Sequence, residues 1–461
     1  MNENQELHRG LKNRHIQMIA IGGAIGTGLF LGSGSTIGAA GPAIIISYAV
    51  VGLFIFFIMR SLGEMTVHSP VTGSFSTYSH RYLGNFAGFF TGWNYWLLSI
   101  LVCIVETLAL TAYTKTWFPD MPDVIAALFY FVLVVVVNIV TVKAYGEIEF
   151  WAAIIKVTAI CAMIAFGLLM IFFGFGNGGN AVGLGNLYQE GGFLPNGLKG
   201  ILFSLVPIIF SFGGVELVGI TAAEADDPGK TIPKAINQLI FRILIFYVGS
   251  MFVLTALYPW DQINASGTLE GSPFVLTFSK MGIGAAAGIM NFVVLTAALS
   301  AFNSMFYAST RMMIGLVHQG NAPKALAKIT NNGIPLYCVI ISSILVFIGI
   351  LGLFLTPALT YFLKLMNIAT GTVITNWIFI LITQIYFRKK IGQAEVEKLA
   401  FKMPLYPLTN YLTIGFLAMV VVLMAVSGGQ SEVFIFTTAW WVIISVIYFI
   451  SKASKGKQVQ S

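Results

Sequence analysis

Runs of about twenty apolar residues, each closed by a short polar stretch, succeed one another along almost the whole chain. They fall at 18–37, 43–62, 86–113, 124–142, 151–173 and 198–220, and then at 239–257, 285–316, 336–355, 359–386, 405–426 and 433–450. A strand of a membrane barrel would alternate apolar and polar positions over about ten residues; these runs are continuous. At about 1.5 Å per residue each reaches across a hydrocarbon layer of about 30 Å. Lipid offers no partner to backbone N–H and C=O groups, so a helix, which bonds them internally, is the predicted element for every run. The pattern predicts an all-α integral membrane protein with twelve transmembrane helices.

Composition narrows the class further. The 461 residues are 57% hydrophobic and 9% charged, and the mean hydropathy is +0.86, whereas soluble domains carry about 25% charged residues. A soluble enzyme, a secreted disulfide scaffold and a disordered chain are excluded. Cys103, Cys161 and Cys338 lie in or at apolar runs without paired spacing, which argues against a disulfide framework and a zinc site. Residues 2–12 are polar and charged, so no removable signal peptide is expected.

The net charge of +7 matters through its placement, and it does not point to nucleic acid. With the N-terminus inside, 20 of the 25 Lys and Arg residues fall on cytoplasmic segments, from Arg9, Lys12 and Arg14 to Lys452, Lys455 and Lys457. Lys115, Lys199, Lys280 and Lys364 fall outside, and Lys156 lies within a span. Both termini are expected in the cytoplasm.

Glycine interrupts two runs, as IGGAIGTGLFLGSG at 21–34 in the first and FSFGGVELVG at 210–219 in the sixth. Glycine weakens a helix, and each interruption stands in the first helix of a set of five. An odd number of crossings inverts the second set against the first. The pattern therefore predicts a 5+5 inverted repeat at 17–175 and 197–387 with discontinuous helices 1 and 6, plus two extra helices at 404–451, in one domain over 1–461. Small-x-x-x-small spacing such as Gly22 to Gly26 also serves plain helix packing, but packing does not account for a matched pair of interruptions with Glu216 beside the second.

Three ionisable residues, Glu106, Lys156 and Glu216, sit inside spans, where charge is costly and usually functional. Glu106 shares a helical face with Ser99, Cys103, Leu110 and Tyr113, and a structural carboxyl bonded to a neighbouring helix is the alternative. Glu216 follows the sixth-helix interruption, placed either to hold the unwound segment or to bind. Ser300, Asn303, Ser304 and Tyr307 share a face of the eighth helix, and Asn367 and Thr370 mark the tenth; such stripes also glue helices together. The 93–96 cluster WNYW reads as packing or interfacial anchoring.

Other chemistry is missing. The five histidines, His8, His15, His68, His80 and His318, lie in or beside expected cytoplasmic loops. The GKT at 229–231 lacks the upstream glycine of a phosphate loop, Glu224 standing in its place. No H-E-x-x-H or G-x-S-x-G pattern occurs, so neither catalytic residues nor a metal site is expected. The sequon at 264–266 is read as coincidental.

Several stretches resemble the amino-acid permeases of the amino acid-polyamine-organocation (APC) superfamily, most closely its bacterial aromatic, phenylalanine and proline permease branch. They include GLKNRHIQMIAIGGAIGTGLFLGSG, SYAVVGLFIFFIMRSLGEM, GSFSTYSHRYLGNFAGFFTGWNYW, GEIEFWAAIIKV, FSFGGVELVGITAAEADDPGKTIPKAINQLIFRILIFYVGS and VVLTAALSAFNSMFYASTRMMIGLVHQGNAPKAL. The resemblance implies the LeuT-like APC fold. It implies that the broken first and sixth helices bind the backbone of an amino acid while helices 3, 6, 8 and 10 line its side-chain pocket.

On that reading the substrate-binding residues are Ala24, Gly26, Thr27 and Gly28; Ser99, Cys103 and Glu106; Phe210, Ser211, Phe212, Gly213 and Glu216; and Ser300 and Asn303. Phe210 is the implied gate. Helix N-termini bared near Gly26 and Gly28 suit a carboxylate, and carbonyls bared near Gly213 suit an ammonium group. Lys156 occupies the place that sodium takes in sodium-coupled relatives, and is the implied proton-coupling residue.

The expected function is import of a neutral amino acid, aromatic before others, by proton symport across the plasma membrane of a bacterium. Proline or another neutral substrate is the alternative, and a transporter-like sensor or a channel the alternative of another class. No cofactor beyond the coupling proton and no obligatory protein partner is expected; the partners are the amino-acid substrate and membrane lipid.

Overall fold

A computed structural model describes residues 14, 18, 25–140, 142–224, 227–263, 272–280, 284–330, 333–426 and 431–460. Every regular element among them is helical. The first run resumes after residue 24 as α1 (Thr27–Phe30) and α2 (Gly32–Ala40), separated by a turn at Leu31. There follow α3 (Ile44–His68), a short α4 (Ser74–Leu83), α5 (Asn85–Lys115), α6 (Asp123–Val140) and α7 (Val142–Phe173).

The second half opens with α8 (Gly197–Ser211) and α9 (Leu217–Ile220), parted by a non-helical turn at 212–216. A long helix, α10 (Pro228–Arg242), runs through a π-helical stretch at Ile243–Gly249 into α11 (Ser250–Leu257). The chain continues as α12 (Pro273–Lys280), α13 (Gly284–His318), α14 (Leu336–Leu351), α15 (Ala358–Ile391), α16 (Gln393–Lys398), α17 (Leu408–Val426) and α18 (Ser431–Gln460).

Nine helices among the described residues are long and apolar enough to cross a membrane, and two shorter apolar helices, Asp123–Ile139 and Gly197–Ser211, join them. Most expected spans match a helix within a few residues. The fifth begins nine residues before the expected 151, because Glu147 and Glu149 are part of the helix and do not bound it. α4, α12 and α16, too short or too polar for a hydropathy window, were not expected. Residues 19–24 of the first span lie outside the described residues.

The bundle is organised around α5, whose residues from Leu98 to Thr114 are all buried. It packs most extensively on α13 and next on α15. α14, α17 and α18 leave many apolar side chains such as Ile348, Val422 and Ile447 exposed, as surfaces in contact with lipid require.

One buried ion pair locks α3 to α15 and to the segment before α17. Glu64, fully buried, accepts from Arg388 Nε (2.7 Å) and Nη2 (2.5 Å), from Gln384 Nε2 (2.8 Å) and from the backbone N–H of Met403 (2.5 Å). Removing one partner of a buried pair strands the other charge at a cost of about 3–5 kcal/mol. Arg388→Ala should therefore lower the thermal transition of the purified protein strongly, and much less in a Glu64→Gln background. An equal drop in both backgrounds, read by fluorescence-detected melting in detergent, would refute the pairing.

Candidate functional site

The two interrupted helices meet at their interruptions. Ile25 and Gly26 are non-helical, Gly26 being extended at φ −127° and ψ −157°, and α1 starts at Thr27. A Cβ on Gly28 would stand 2.6 Å from Ser211 Cα and 3.1 Å from Phe210 Cδ1, so only glycine lets α1 lie against the end of α8. Beyond Ser211 the chain turns through Gly214, whose φ of +98° is open to glycine and strained for other residues.

Glu106 joins this contact from α5. Its Oε1 accepts from the Thr27 hydroxyl (3.0 Å) and more weakly from the Thr27 N–H (3.4 Å). It lies against Gly26, where a Cβ would come within 2.8 Å of the same oxygen. The start of α1, where a substrate carboxylate was expected, is thus held by the chain's own carboxylate. The other oxygen, Oε2, is buried and has no hydrogen-bond partner among the described residues.

That carboxylate borders a small cavity bounded by Gly26, Gly28, Phe210, Ser211 and Gly213 of the two interruptions. α5 adds Leu98 and Val102, α13 adds Ala301 and Met305, and α15 adds Ala369 and Val373. Its volume of about 20 Å³ is near the minimum that holds one water.

Lys156 reaches the same interruption from α7 and is fully buried. Its Nζ donates to the Ile25 carbonyl (3.1 Å) and to Ser300 Oγ on α13 (3.0 Å). The Ser300 hydroxyl donates onward to Glu149 Oε2 (2.6 Å), and Asn303 Nδ2 donates to Glu149 Oε1 (3.0 Å). Asn138 Nδ2 of α6 in turn donates to Asn303 Oδ1 (2.7 Å). Three helices and the non-helical residue Ile25 thus converge on one polar chain inside an apolar bundle.

Glu149 was not singled out from the sequence. Its separation of seven from Lys156, two helical turns along one face, was the signal available. Beside Glu147 it looks like part of a charged pair at the helix edge. Glu147 does pair with Arg14 near the surface, whereas Glu149 is 1% exposed.

The remaining candidates separate into three groups. Gly26, Gly28, Glu106, Phe210, Ser211 and Gly213 border the cavity, with Thr27 bonded to Glu106. Ser300 and Asn303 belong to the lysine network and not to the cavity wall. Ser99, Cys103, Phe212 and Glu216 point elsewhere. Ala24 lies outside the described residues.

Each of the displaced residues has a physical reason for its position. Ser99 satisfies its hydroxyl on the Tyr95 carbonyl one turn back (2.9 Å), and the Cys103 thiol faces the Phe302 carbonyl (3.8 Å). The cavity face of α5 is 98, 102 and 106, one residue round from 99 and 103, and both sets stand three or four residues apart leading up to 106. Phe212 stacks on Tyr247 at 4.3 Å and 22°, on the far side of the turn. Glu216 turns back on its own segment, accepting from the Gly214 N–H (3.3 Å) and from Trp377 Nε1 (3.4 Å). Thr370, expected to mark α15, likewise bonds the Met366 carbonyl (2.9 Å), and its neighbour Ala369 faces the cavity.

Comparison with known proteins identifies the family. A family model described as amino acid permease matches residues 15–460. An uncharacterized amino acid permease of Bacillus subtilis, YtnA, is 49% identical over 447 residues, covering 97% of this chain and 96% of its own. The aromatic amino acid transport protein AroP of Escherichia coli K12 is 46% identical over 458 residues, covering 99% and 98%. A probable threonine/serine transporter of Bacillus subtilis, YbxG, is 46% identical over 456 residues, covering 99% and 97%.

The glycine contact yields a direct test. Gly28→Ala pushes α1 off the Ser211 backbone, and should reduce uptake of every amino acid alike by about 100-fold, the scale on which a 1 Å displacement damages a positioned site. Uptake by cells matched for membrane expression measures it; loss confined to one substrate would contradict a shared backbone site.

Proposed function

The chain belongs to the amino acid permease family, so it is a multi-pass membrane transporter of amino acids and not an enzyme, and we propose that it imports neutral amino acids, aromatic ones foremost, by proton symport. On this reading it works as a 5+5 inverted repeat in a bacterial plasma membrane, with both termini cytoplasmic and Phe210 gating the cavity between the two interrupted helices.

The observation that carries the coupling is the bond from Lys156 to the Ile25 carbonyl. A charged ammonium group there braces the first helix, joining it through Ser300 to α13. A neutral amine keeps weaker bonds to the same oxygens and frees the helix to move. Protonation and the position of the first helix are linked in this way without a metal ion.

Two observations support aromatic substrates. The cavity wall includes five short residues, Gly26, Gly28, Gly213, Ala301 and Ala369, and its larger members Leu98, Val102, Phe210, Met305 and Val373 are all apolar. A ring entering there stacks against Phe210, an arrangement that contributes about 0.5–1.5 kcal/mol beyond area burial. The name of AroP points the same way, and that of YbxG points to smaller hydroxylated substrates.

Competition by the twenty amino acids against labelled phenylalanine uptake separates these. Phenylalanine, tyrosine and tryptophan should compete at concentrations at least an order of magnitude below threonine and serine, at about 1.4 kcal/mol per factor of ten. The reverse order would replace the aromatic reading with a threonine/serine one.

For coupling, proteoliposomes with an imposed proton gradient should accumulate substrate, and a sodium gradient alone should not drive it. Lys156→Met should keep substrate binding, seen as thermal stabilisation by the amino acid, while losing pH-driven accumulation. Sodium-driven uptake, or undiminished proton-driven uptake in Lys156→Met, would overturn the assignment, and absence of counterflow would indicate a sensor.

A further inference from the structure

A cavity with an apolar lining lies apart from the substrate site, in a groove of about 600 Å³ between the start of α5 and the end of α18. Trp93 and Trp96 form one wall, Trp440, Ile444 and Tyr448 the other, and the 320–323 turn after α13 borders the mouth with Lys452. Trp93 Nε1 is pinned to the Asn321 carbonyl (3.3 Å) and Trp96 Nε1 to Ser342 Oγ (3.2 Å), so that wall is pre-formed. The groove shares no lining residue with the cavity at Glu106.

We propose that this groove binds one anionic phospholipid, with an acyl chain along the aromatic walls and the phosphate at Lys452. Length is the first argument. Trp440 and Lys452 are twelve residues apart on one helix, a rise of about 18 Å, close to one leaflet of a hydrocarbon layer of about 30 Å. A soluble metabolite does not need a slot of that length, whereas an acyl chain fills it.

Charge is the second argument. Among the described residues lining the groove, Lys452 is the one that is charged, and none is a carboxylate. The N-terminus of α5 opens at Asn85 beside the same mouth and carries no side-chain cap. Such an end favours an anion. The mouth also stands on the lysine-rich side of the chain, where Lys324 and Lys328 follow the 320–323 turn. By the positive-inside rule this is the cytoplasmic side, whose leaflet carries anionic lipid that attracts surface lysines.

Native mass spectrometry of the full-length protein, titrated with phosphatidylglycerol or phosphatidylethanolamine in detergent, tests the proposal. One phosphatidylglycerol should bind ahead of phosphatidylethanolamine. Lys452→Glu should weaken phosphatidylglycerol binding about fivefold or more, the effect of one surface lysine on anionic lipid, and leave phosphatidylethanolamine unchanged. Lys452→Arg should restore the preference, and Ala322→Trp, which fills the mouth, should weaken both lipids. Equal affinity of the wild type for the two lipids, or an unchanged preference in Lys452→Glu, would overturn the proposal. So would full displacement of the lipid by millimolar inorganic phosphate, or a lipid-free dimer covering the groove.

Discussion

The approach of the Gly28 backbone to the Ser211 backbone sets the terms for everything at the centre of this bundle. The start of α1 and the end of α8 meet there, and helix ends leave carbonyls and N–H groups without helical partners inside an apolar medium. Non-helical backbone at such depth survives only where protein supplies the missing bonds. The supply here is matched in sign. On the carbonyl side of the first interruption, Ile25 receives the Lys156 ammonium, and on the N–H side, Thr27 receives the Glu106 carboxylate. The lysine comes from α7 and the carboxylate from α5, so residues 25–27 are gripped from two directions.

The second interruption is satisfied differently. Glu216 accepts from the Gly214 N–H within its own turn, while Tyr247 donates to the Ser211 carbonyl (3.1 Å) and stacks on Phe212. Tyr247 stands in the π-helical stretch of the long seventh-span helix, a local widening that recurs at functional sites in helices. The sixth-span turn is thereby anchored outward, by an aromatic contact and a carboxylate that face away from the cavity. Its cavity side is left to Phe210, Ser211 and Gly213.

Much of the architecture is legible in the sequence because lipid imposes a single rule on every apolar run. Helix positions, the two glycine interruptions and the three intramembrane charges all follow from length and hydropathy. Legibility fails where two neighbouring residues satisfy the same periodicity. Ser99 and Cys103 look polar and therefore binding, yet a hydroxyl in a helix finds the carbonyl one turn back, and the cavity takes Leu98 and Val102 instead. It fails again where a charge near a run's end is read as the boundary. Glu149 has the same spelling as a loop residue, and its burial is accounted for by partners such as Ser300 and Asn303, some 150 residues away in sequence. Short amphipathic helices such as α4 and α16 escape for a third reason, since they are set by packing against the bundle and not by lipid.

The anchoring pattern also says which parts are able to move. A cavity of about 20 Å³ admits no amino acid, so substrate entry requires displacement of side chains or of a helix. The turn at 212–216 is tied by Tyr247, Trp377 and Gly214, and breaking those contacts would expose several buried polar groups together, at about 1–3 kcal/mol each. Phe210 has no such tie: its ring rests on Gly28 and on the cavity itself, and rotation costs it only packing. The first interruption is held by bonds from Lys156 and Glu106, each dependent on the charge of its side chain. Motion is therefore least costly at the Phe210 ring, whereas at residues 25–27 the charges of the gripping groups set the strength of the hold. That is the arrangement a carrier needs if proton binding is to alter the position of a helix while the opposing turn remains fixed.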